Sequence, residues 1–212
     1  MRQQSAVFDC DDVLLDWIGG FCQYHNKHYG TTVNGEEALD YDLSGFLGLE
    51  RSVLNERAYE FNRSYEFGCL EPMRYAVDVI HYLRDYNQAQ PAEKRIKIYI
   101  LSKCGNDELV RKLRLANLKG VFGDDCFDDI ILIEGTESKQ PYLQKIKEET
   151  DLLLFVDDYV GNCNVGHAIG VNSVVIQRNH NKHLKERNPH LHFCRDWMHL
   201  MSVHIARFIR VD

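Results

Sequence analysis

Short runs of apolar residues alternate with amphipathic stretches along most of the chain. The runs are short enough to be buried strands, whereas the stretches between them repeat apolar residues at helical spacing. Strands that alternate with helices predict an α/β fold, namely a doubly wound parallel sheet with helices on both faces. The five predicted strands are Ser5–Phe8, Ile96–Leu101, Asp129–Ile133, Leu152–Val156 and Ser173–Ile176.

Helices are predicted between these strands and after the last one. The first runs from Trp17 to His28, with Gly30 placed to end it, and two or three short helices follow before residue 67. The remaining predicted helices are Pro72–Tyr86, Asp107–Leu118 closed by Gly120, Pro141–Glu149, Val165–Ile169 and the amphipathic stretch Trp197–Ile209.

The connection between the first two strands is too long for a simple crossover. The stretch from Asp9 to Ser102 is about three times as long as the roughly 30 residues of a βαβ unit. We therefore predict a small inserted helical cap over residues 17–68, on a core made of residues 1–16 and 69–212. Such a cap over the strand ends would exclude water from a site there.

Side chains that could bind a ligand or take part in a reaction follow the predicted strands. Carboxyl ends of parallel strands meet at one edge of a sheet, where ligands bind. Several carboxylates at one edge are costly unless a divalent cation neutralises them, and all-oxygen ligands favour Mg²⁺. A serine and a lysine could hold phosphoryl oxygens at the same edge. These residues are Asp9, Asp11, Ser102, Lys139, Asp157 and Asp158.

Composition narrows the range of partners. A net charge of −7 argues against a nucleic-acid polymer, whose binding requires clustered Lys and Arg, but it is compatible with a small phosphate ester beside a metal ion. No apolar run approaches the roughly 20 residues of a membrane span, and the stretch before the first strand is too short for a secretory segment. We therefore expect a cytoplasmic protein without a membrane partner. The seven scattered cysteines indicate reduced, space-filling thiols and no zinc site.

Four segments together resemble the motifs of the haloacid dehalogenase (HAD) superfamily. Val7-Phe8-Asp9-Cys10-Asp11-Asp12-Val13-Leu14 resembles its first motif, and Ile98-Tyr99-Ile100-Leu101-Ser102 resembles its second. Lys139 fits the third motif, and Leu153-Leu154-Phe155-Val156-Asp157-Asp158 fits the fourth. The resemblance covers about residues 5–178 and implies a Rossmann-like HAD core.

The resemblance also implies a reaction, the hydrolysis of a phosphate monoester. Asp9 would attack phosphorus and form an aspartyl-phosphate. Asp11 would protonate the leaving oxygen and later deprotonate the attacking water. Ser102 and Lys139 would bind the phosphoryl oxygens of the substrate.

The implied cofactor is Mg²⁺. Its ligands would be the carboxylates of Asp9 and Asp158 and the backbone carbonyl of Asp11. Asp157 would support the ion indirectly, through waters or through Lys139. Asn162, one helical turn beyond Asp158, would orient that carboxylate.

Two features bear on the substrate. Superfamily members that cleave carbon–halogen bonds lack the second aspartate, so Asp11 favours a phosphate ester. The stretch Asp9–Phe21 also resembles the 5′-nucleotidase, deoxy type C group. A (deoxy)nucleoside monophosphate is therefore a candidate substrate, and Trp17, Phe21 and Phe46 are candidate cap residues that would stack on its base.

Other interpretations stay open at this point. A generic small-molecule phosphatase, a phosphotransferase or mutase on the same scaffold, and a non-catalytic module that binds a phosphate ligand all fit the motifs. A receiver-like signalling domain is disfavoured, because such domains are close to 120 residues long and lack an inserted cap. The stretch with His180, His183, His190 and His192 is interpreted as a solvated loop and not as a metal site.

Overall fold

A parallel sheet forms the centre of the molecule, as the alternating pattern predicts. A computed structural model describes residues 2–209, and within that range the sheet has six strands in the order β3-β2-β1-β4-β5-β6. All neighbouring strands pair in parallel, so the doubly wound α/β fold is confirmed. The strands are β1 Gln4–Phe8, β2 Lys97–Lys103, β3 Asp129–Ile133, β4 Asp151–Asp157, β5 Ser173–Ile176 and β6 His192–Cys194.

Strand β6 was missed because it is three residues long and lies in a polar, histidine-rich stretch. It pairs with β5 at the edge of the sheet, where Val175 lies opposite Phe193. Only Phe193 and Cys194 of this strand are buried. The apolar signal is therefore too short to be seen in the sequence.

Helices cover the sheet as predicted, although several of them begin or end elsewhere, and the last one ends at Val203 instead of Ile209. They are α1 Trp17–Tyr29, α2 Ser44–Leu47, α3 Arg51–Asn62, α4 Ala76–Ala89, α5 Glu108–Phe122, α6 Gln140–Glu149, α7 Val160–Ala168 and α8 Trp197–Val203. None of the helices within residues 2–209 combines the length and the apolar character that crossing a membrane requires.

The differences in helix ends have physical causes. Pro72 does not open α4: it lies in a bridge with Leu15, and the helix starts four residues later. Helix α5 continues through Gly120 because Phe122 is buried in the core, and it ends at Gly123, whose φ is 92°. Helix α7 starts at Val160, not Val165, in a segment whose Gly and Asn residues have low helix propensity.

The end of β1 is fixed by packing from both sides. Ala6, Val7 and Phe8 are fully buried between neighbouring strands, which suits a central parallel strand. The Nε1 atom of Trp197 in α8 donates a 2.7 Å hydrogen bond to the carbonyl of Val13, and its ring packs on Phe8. The loop that carries the first acidic residues is thereby held against the C-terminal helix.

The long connection after β1 contains α1, α2 and α3 together with single turns of 3₁₀-helix at Gly35–Glu37 and Glu66–Cys69. Gly30 adopts a left-handed conformation at the end of α1, as the sequence predicts. We call residues 17–68 the inserted segment. That it is a cap separate from the core stays a prediction.

Candidate active site

The predicted residues at the strand ends come together at one edge of the sheet. Asp9 follows β1, which lies between β2 and β4. Ser102 lies near the end of β2, and Asp157 is the last residue of β4, with Asp158 next to it. Topology therefore brings three distant parts of the chain into contact.

Lys139 joins this group from the start of α6. Its Nζ atom lies 2.6 Å from Oδ1 of Asp9 and 2.7 Å from Oδ2 of Asp157, and its side chain is 1% exposed. Burial works against the charged amine, but the carboxylates of Asp157 and Asp9 outweigh it and raise the pKa of Lys139. The lysine is a buried cation shared by two acids.

Both oxygens of Asp157 accept hydrogen bonds within the protein. The backbone N–H of Tyr159 donates to Oδ1 at 2.8 Å, and Nδ2 of Asn162 donates to Oδ2 at 3.0 Å, beside the Lys139 contact. The sequence-based expectation that Asn162 orients Asp158 is therefore wrong, because its amide lies on Asp157. Asp157 is the least available of these acids for direct contact with a cation.

Asp158 has a different partner, which the sequence analysis missed. Nε2 of His180 lies 2.9 Å from Oδ2 of Asp158, and both side chains are buried. The interpretation of this histidine as part of a solvated loop is wrong. The loop after β5 folds back over the strand ends, and nothing in its polar composition reveals that contact.

Asp9, Asp157 and Asp158 form a compact acidic cluster. One carboxylate oxygen from each lies within 4.8 Å of the others. Burial raises the pKa of Asp158 to about 8, and the charge of Asp9 adds to the shift. Burial also raises the pKa of Asp157, although Lys139 opposes it. Crowded carboxylates that resist ionisation are suited to a divalent cation, so the donor set fits Mg²⁺.

Asp11 lies beside this cluster and pairs with a second residue that the sequence analysis missed. Arg114 of α5 is fully buried, donates to Oδ1 of Asp11 from Nη2 and lies over the ring of Phe67. Loss of solvent raises the pKa of Asp11 to about 6, although Arg114 opposes that shift. The arginine occupies a position on the apolar face of α5, four residues after Val110, and that was its only signal.

Asp12 has an unusual backbone conformation. Its φ is 55°, and its side chain accepts a 3.1 Å hydrogen bond from the N–H of Ile18. Nε of Arg178 donates to the Asp12 carbonyl at 2.6 Å. The left-handed conformation, which usually favours glycine, is thus stabilised by two contacts from outside the turn.

Ser102 is fully buried at the end of β2. Among the described residues, no donor or acceptor contacts its Oγ atom. An unpaired hydroxyl inside a protein costs free energy. Its presence at this edge is consistent with a ligand that forms the missing hydrogen bond.

A cavity of about 230 Å³ opens above the acidic residues. Asp11, Asp12 and Asp158 line one end of it, and Lys103 lies at the same edge. Residues of the inserted segment line the rest, namely Trp17, Ile18, Tyr41, Leu43, Leu54, Asn55, Ala58 and Asn62.

Trp17 is the one of the three candidate cap aromatics that lines this cavity. Phe21 is fully buried and packs against Trp17 and Phe61, so it is a core residue. Phe46 packs at the edge of the core and does not line the cavity. Tyr41, which the sequence analysis did not single out, lines it instead.

Comparison with known proteins gives a likeness of fold. No protein-family model matches the sequence, and no curated protein matches it either. A haloacid dehalogenase-like family hydrolase from Streptococcus pneumoniae is similar in structure over 94% of this chain and 97% of its own, with a TM-score of 0.61 and 13% identity. A hydrolase from Pseudomonas syringae is similar over 95% and 97%, with a TM-score of 0.59 and 15% identity.

A third similar structure is that of a dehalogenase, over 95% of this chain and 96% of its own, with a TM-score of 0.57 and 19% identity. Identities this low speak for the fold alone. The chain therefore has the fold of haloacid dehalogenase-like hydrolases, with a cluster of buried aspartates at the carboxyl end of its sheet.

Proposed function

We propose that the chain is a magnesium-dependent phosphomonoester hydrolase that acts through an aspartyl-phosphate intermediate. The observation that carries this proposal is the arrangement around Asp9. A carboxylate, a buried lysine and an unpaired buried serine hydroxyl meet at one edge of the sheet, with Asp11 two residues further along the chain. Together they supply a nucleophile, two groups for phosphoryl oxygens and an acid.

The presence of Asp11 favours a phosphate ester over an alkyl halide as the substrate. An alkoxide leaves only when it is protonated, whereas a halide needs no proton. A pKa near 6 gives Asp11 a useful protonated fraction close to neutrality. A dehalogenase would have no use for that acid, so the likeness to a dehalogenase fold does not favour dehalogenation.

The reaction has two steps. In the first, Asp9 attacks phosphorus while the bond to the leaving oxygen breaks and Asp11 donates a proton to that oxygen. In the second, Asp11 takes a proton from water, which attacks the aspartyl-phosphate and releases inorganic phosphate. Lys139 and the Ser102 hydroxyl would hold the phosphoryl oxygens in both steps, each from a fixed and buried position.

The carboxylates of Asp9 and Asp158, with the backbone carbonyl of Asp11, would hold Mg²⁺. When bound, the ion would neutralise the acidic cluster and offset the negative charge of the phosphoryl group. Asp157 would support the ion only indirectly, because Lys139, Asn162 and the Tyr159 N–H already contact its oxygens.

For the substrate we propose a (deoxy)nucleoside monophosphate, with a base bound between α1 and α3. The Trp17 indole lines the cavity, and its ring stacks on the buried Phe21 with ring centroids 5.0 Å apart. Nε1 of Trp17 donates to Oδ1 of Asn62 at 2.9 Å. This contact sets the amide so that its NH₂ group stays available, and Asn55 lies on the same side of α3. A flat ring and two amides suit a planar heterocycle.

The test is phosphate release from a panel of nucleotides, sugar phosphates and amino-acid phosphates, with Mg²⁺ and with EDTA. We expect Mg²⁺-dependent release, with nucleoside monophosphates among the best substrates. Halide release from 2-haloacids serves as the comparison. Halide release without phosphate release would overturn the proposal.

Transfer of phosphate to added sugars, measured alongside, distinguishes a phosphotransferase from a hydrolase. We expect inorganic phosphate to account for the product. Dominant transfer to a sugar hydroxyl would replace hydrolysis with the phosphotransferase alternative.

A further inference from the structure

Two neighbouring residues in the loop after β5, His180 and Asn181, contact Asp158. Nδ2 of Asn181 donates to the backbone carbonyls of Asp158 and Ile176, both at 2.8 Å. Nε2 of His180 lies 2.9 Å from Oδ2 of the Asp158 side chain, and the histidine is 3% exposed. One short segment therefore fixes both the backbone and the carboxylate of this acid.

The contact leaves the two oxygens of Asp158 in different situations. His180 occupies Oδ2, whereas no donor from the described residues contacts Oδ1. Asp157 next to it differs, because donors reach both of its oxygens. Asp158 thus keeps one carboxylate oxygen available for a cation, and the histidine contact determines which one.

The imidazole is buried and packs beside an aromatic ring, that of Tyr41. The ring of Tyr41 lies edge-on to the imidazole, with ring centroids 5.9 Å apart. Tyr41 in turn packs against Tyr159, with ring centroids 4.6 Å apart. Arg178, two residues before His180, is bonded to the Asp12 carbonyl. With little freedom to rotate, the ring can act as a rigid donor.

We propose that His180 is a positioning residue for the metal site: its Nε2–H holds Oδ2 of Asp158 so that Oδ1 faces the cation. The inference rests on the proposed function, in which Asp158 is a ligand of Mg²⁺. In this role the histidine would act through Asp158, without itself contacting the ion or the substrate. Residues that orient metal ligands in this way usually contribute about 10- to 100-fold to metal affinity.

The experiment compares three variants of the full chain. His180→Leu removes the donor and keeps an apolar side chain in the buried position. His180→Gln retains an N–H group that reaches a similar place. His25→Leu is the matched control, because His25 is also buried and hydrogen-bonded, to Thr31 and Arg57, but lies in the inserted segment.

Binding of Mg²⁺ is measured by titration calorimetry without substrate, and binding of Mn²⁺ by electron paramagnetic resonance. We expect His180→Leu to weaken both by about 10- to 100-fold. His180→Gln should stay within about threefold of the wild type, and His25→Leu should match it even if its Tm falls. Rescue by Gln separates positioning from packing, since Gln fills the site no better than Leu does.

Two results would overturn the inference while the proposed function stands: wild-type affinity in His180→Leu, or equal losses in the Leu and Gln variants. A wild-type protein that binds neither ion would instead refute the proposed metal site, and this inference with it, whether or not it releases phosphate.

Discussion

Nζ of Lys139 lies 2.6 Å from Oδ1 of Asp9, although 130 positions separate the two residues in the chain. The same Nζ contacts Asp157, so one buried amine balances part of the charge of two acids. The opposite charges offset part of the cost of removing these groups from water. Within residues 2–209 no donor contacts the other oxygen of Asp9, which is available for the chemistry that we propose.

Replacing Asp9 with Asn should abolish phosphate release. The amide keeps the shape of the side chain but cannot attack phosphorus, so kcat should fall by at least about a thousandfold. Steady-state kinetics on the best substrate measures the loss. Asp151→Asn is the matched control, because Asp151 is exposed at the opposite end of the sheet, and the kcat of this variant should not change.

Chelation should stop the reaction and Mg²⁺ should restore it. The donor set contains oxygen only, and without the ion the acidic cluster would repel a phosphate ester. Calcium should inhibit, since its looser and higher coordination misplaces the nucleophile. Rates after EDTA treatment, and after addition of each ion, provide the measurement. Full activity in metal-free buffer would remove the ion from the proposal.

Without metal, the protein should lose stability as pH rises through the neutral range. Burial raises the pKa of Asp158 in the folded protein to about 8, well above the usual range of a carboxyl group, so the folded state holds a proton that the unfolded state has released. The slope of stability against pH is then negative, at up to about 1.4 kcal/mol per pH unit for each proton. The apparent Tm should fall by about 2–4 °C for each kcal/mol.

The measurement is thermal unfolding in EDTA from about pH 6.5 to about pH 8.5. Below this window, buried histidines such as His204, whose pKa burial lowers to about 4, act with the opposite sign and destabilise the fold as pH falls. Asp158→Asn should flatten the curve, and saturating Mg²⁺ should reduce the loss in the wild type. A wild-type Tm that rises across the window would contradict the assignment of a raised pKa.

The strand ends were predictable because their signal is local. The apolar runs before Asp9 and before Asp157 are each followed directly by acids, and parallel topology brings such ends together. Lys139 was predicted from its place after a predicted strand, and the resemblance to the HAD motifs implied a role for it. These features depend on order along the chain, which the sequence displays directly.

Other parts of the site depend on contacts between distant segments. Arg114 meets Asp11 across more than 100 positions, and Arg178 meets Asp12 across more than 160. His180 and Tyr41 have polar surroundings in the sequence that are typical of loops. The prediction that Phe21 contacts the substrate was wrong for a different reason. An aromatic residue near a site has the same helical spacing whether it faces a ligand or the core. Only packing distinguishes the two.

Trp17 should control the choice of leaving group. Its indole lines the cavity and fixes the Asn62 amide, whereas the phosphate-binding residues treat all esters alike. Stacking on a base is worth about 1–3 kcal/mol, so Trp17→Leu should lower kcat/KM for a nucleoside monophosphate by roughly 5- to 150-fold. Glycerol phosphate has no ring, and its kcat/KM should change by less than about threefold. Both substrates are assayed on the same preparation.

Phe21→Leu is the matched control, since Phe21 packs against the same indole but is fully buried and does not line the cavity. Loss of core packing there should lower the Tm and reduce kcat/KM for both substrates to the same extent, if at all. The informative quantity is the ratio of the two kcat/KM values, because a drop in folded protein cancels from it. Trp17→Leu should change this ratio and Phe21→Leu should not. An unchanged ratio in Trp17→Leu, together with a lower Tm, would make Trp17 a packing residue and would leave the nucleotide proposal without its structural basis.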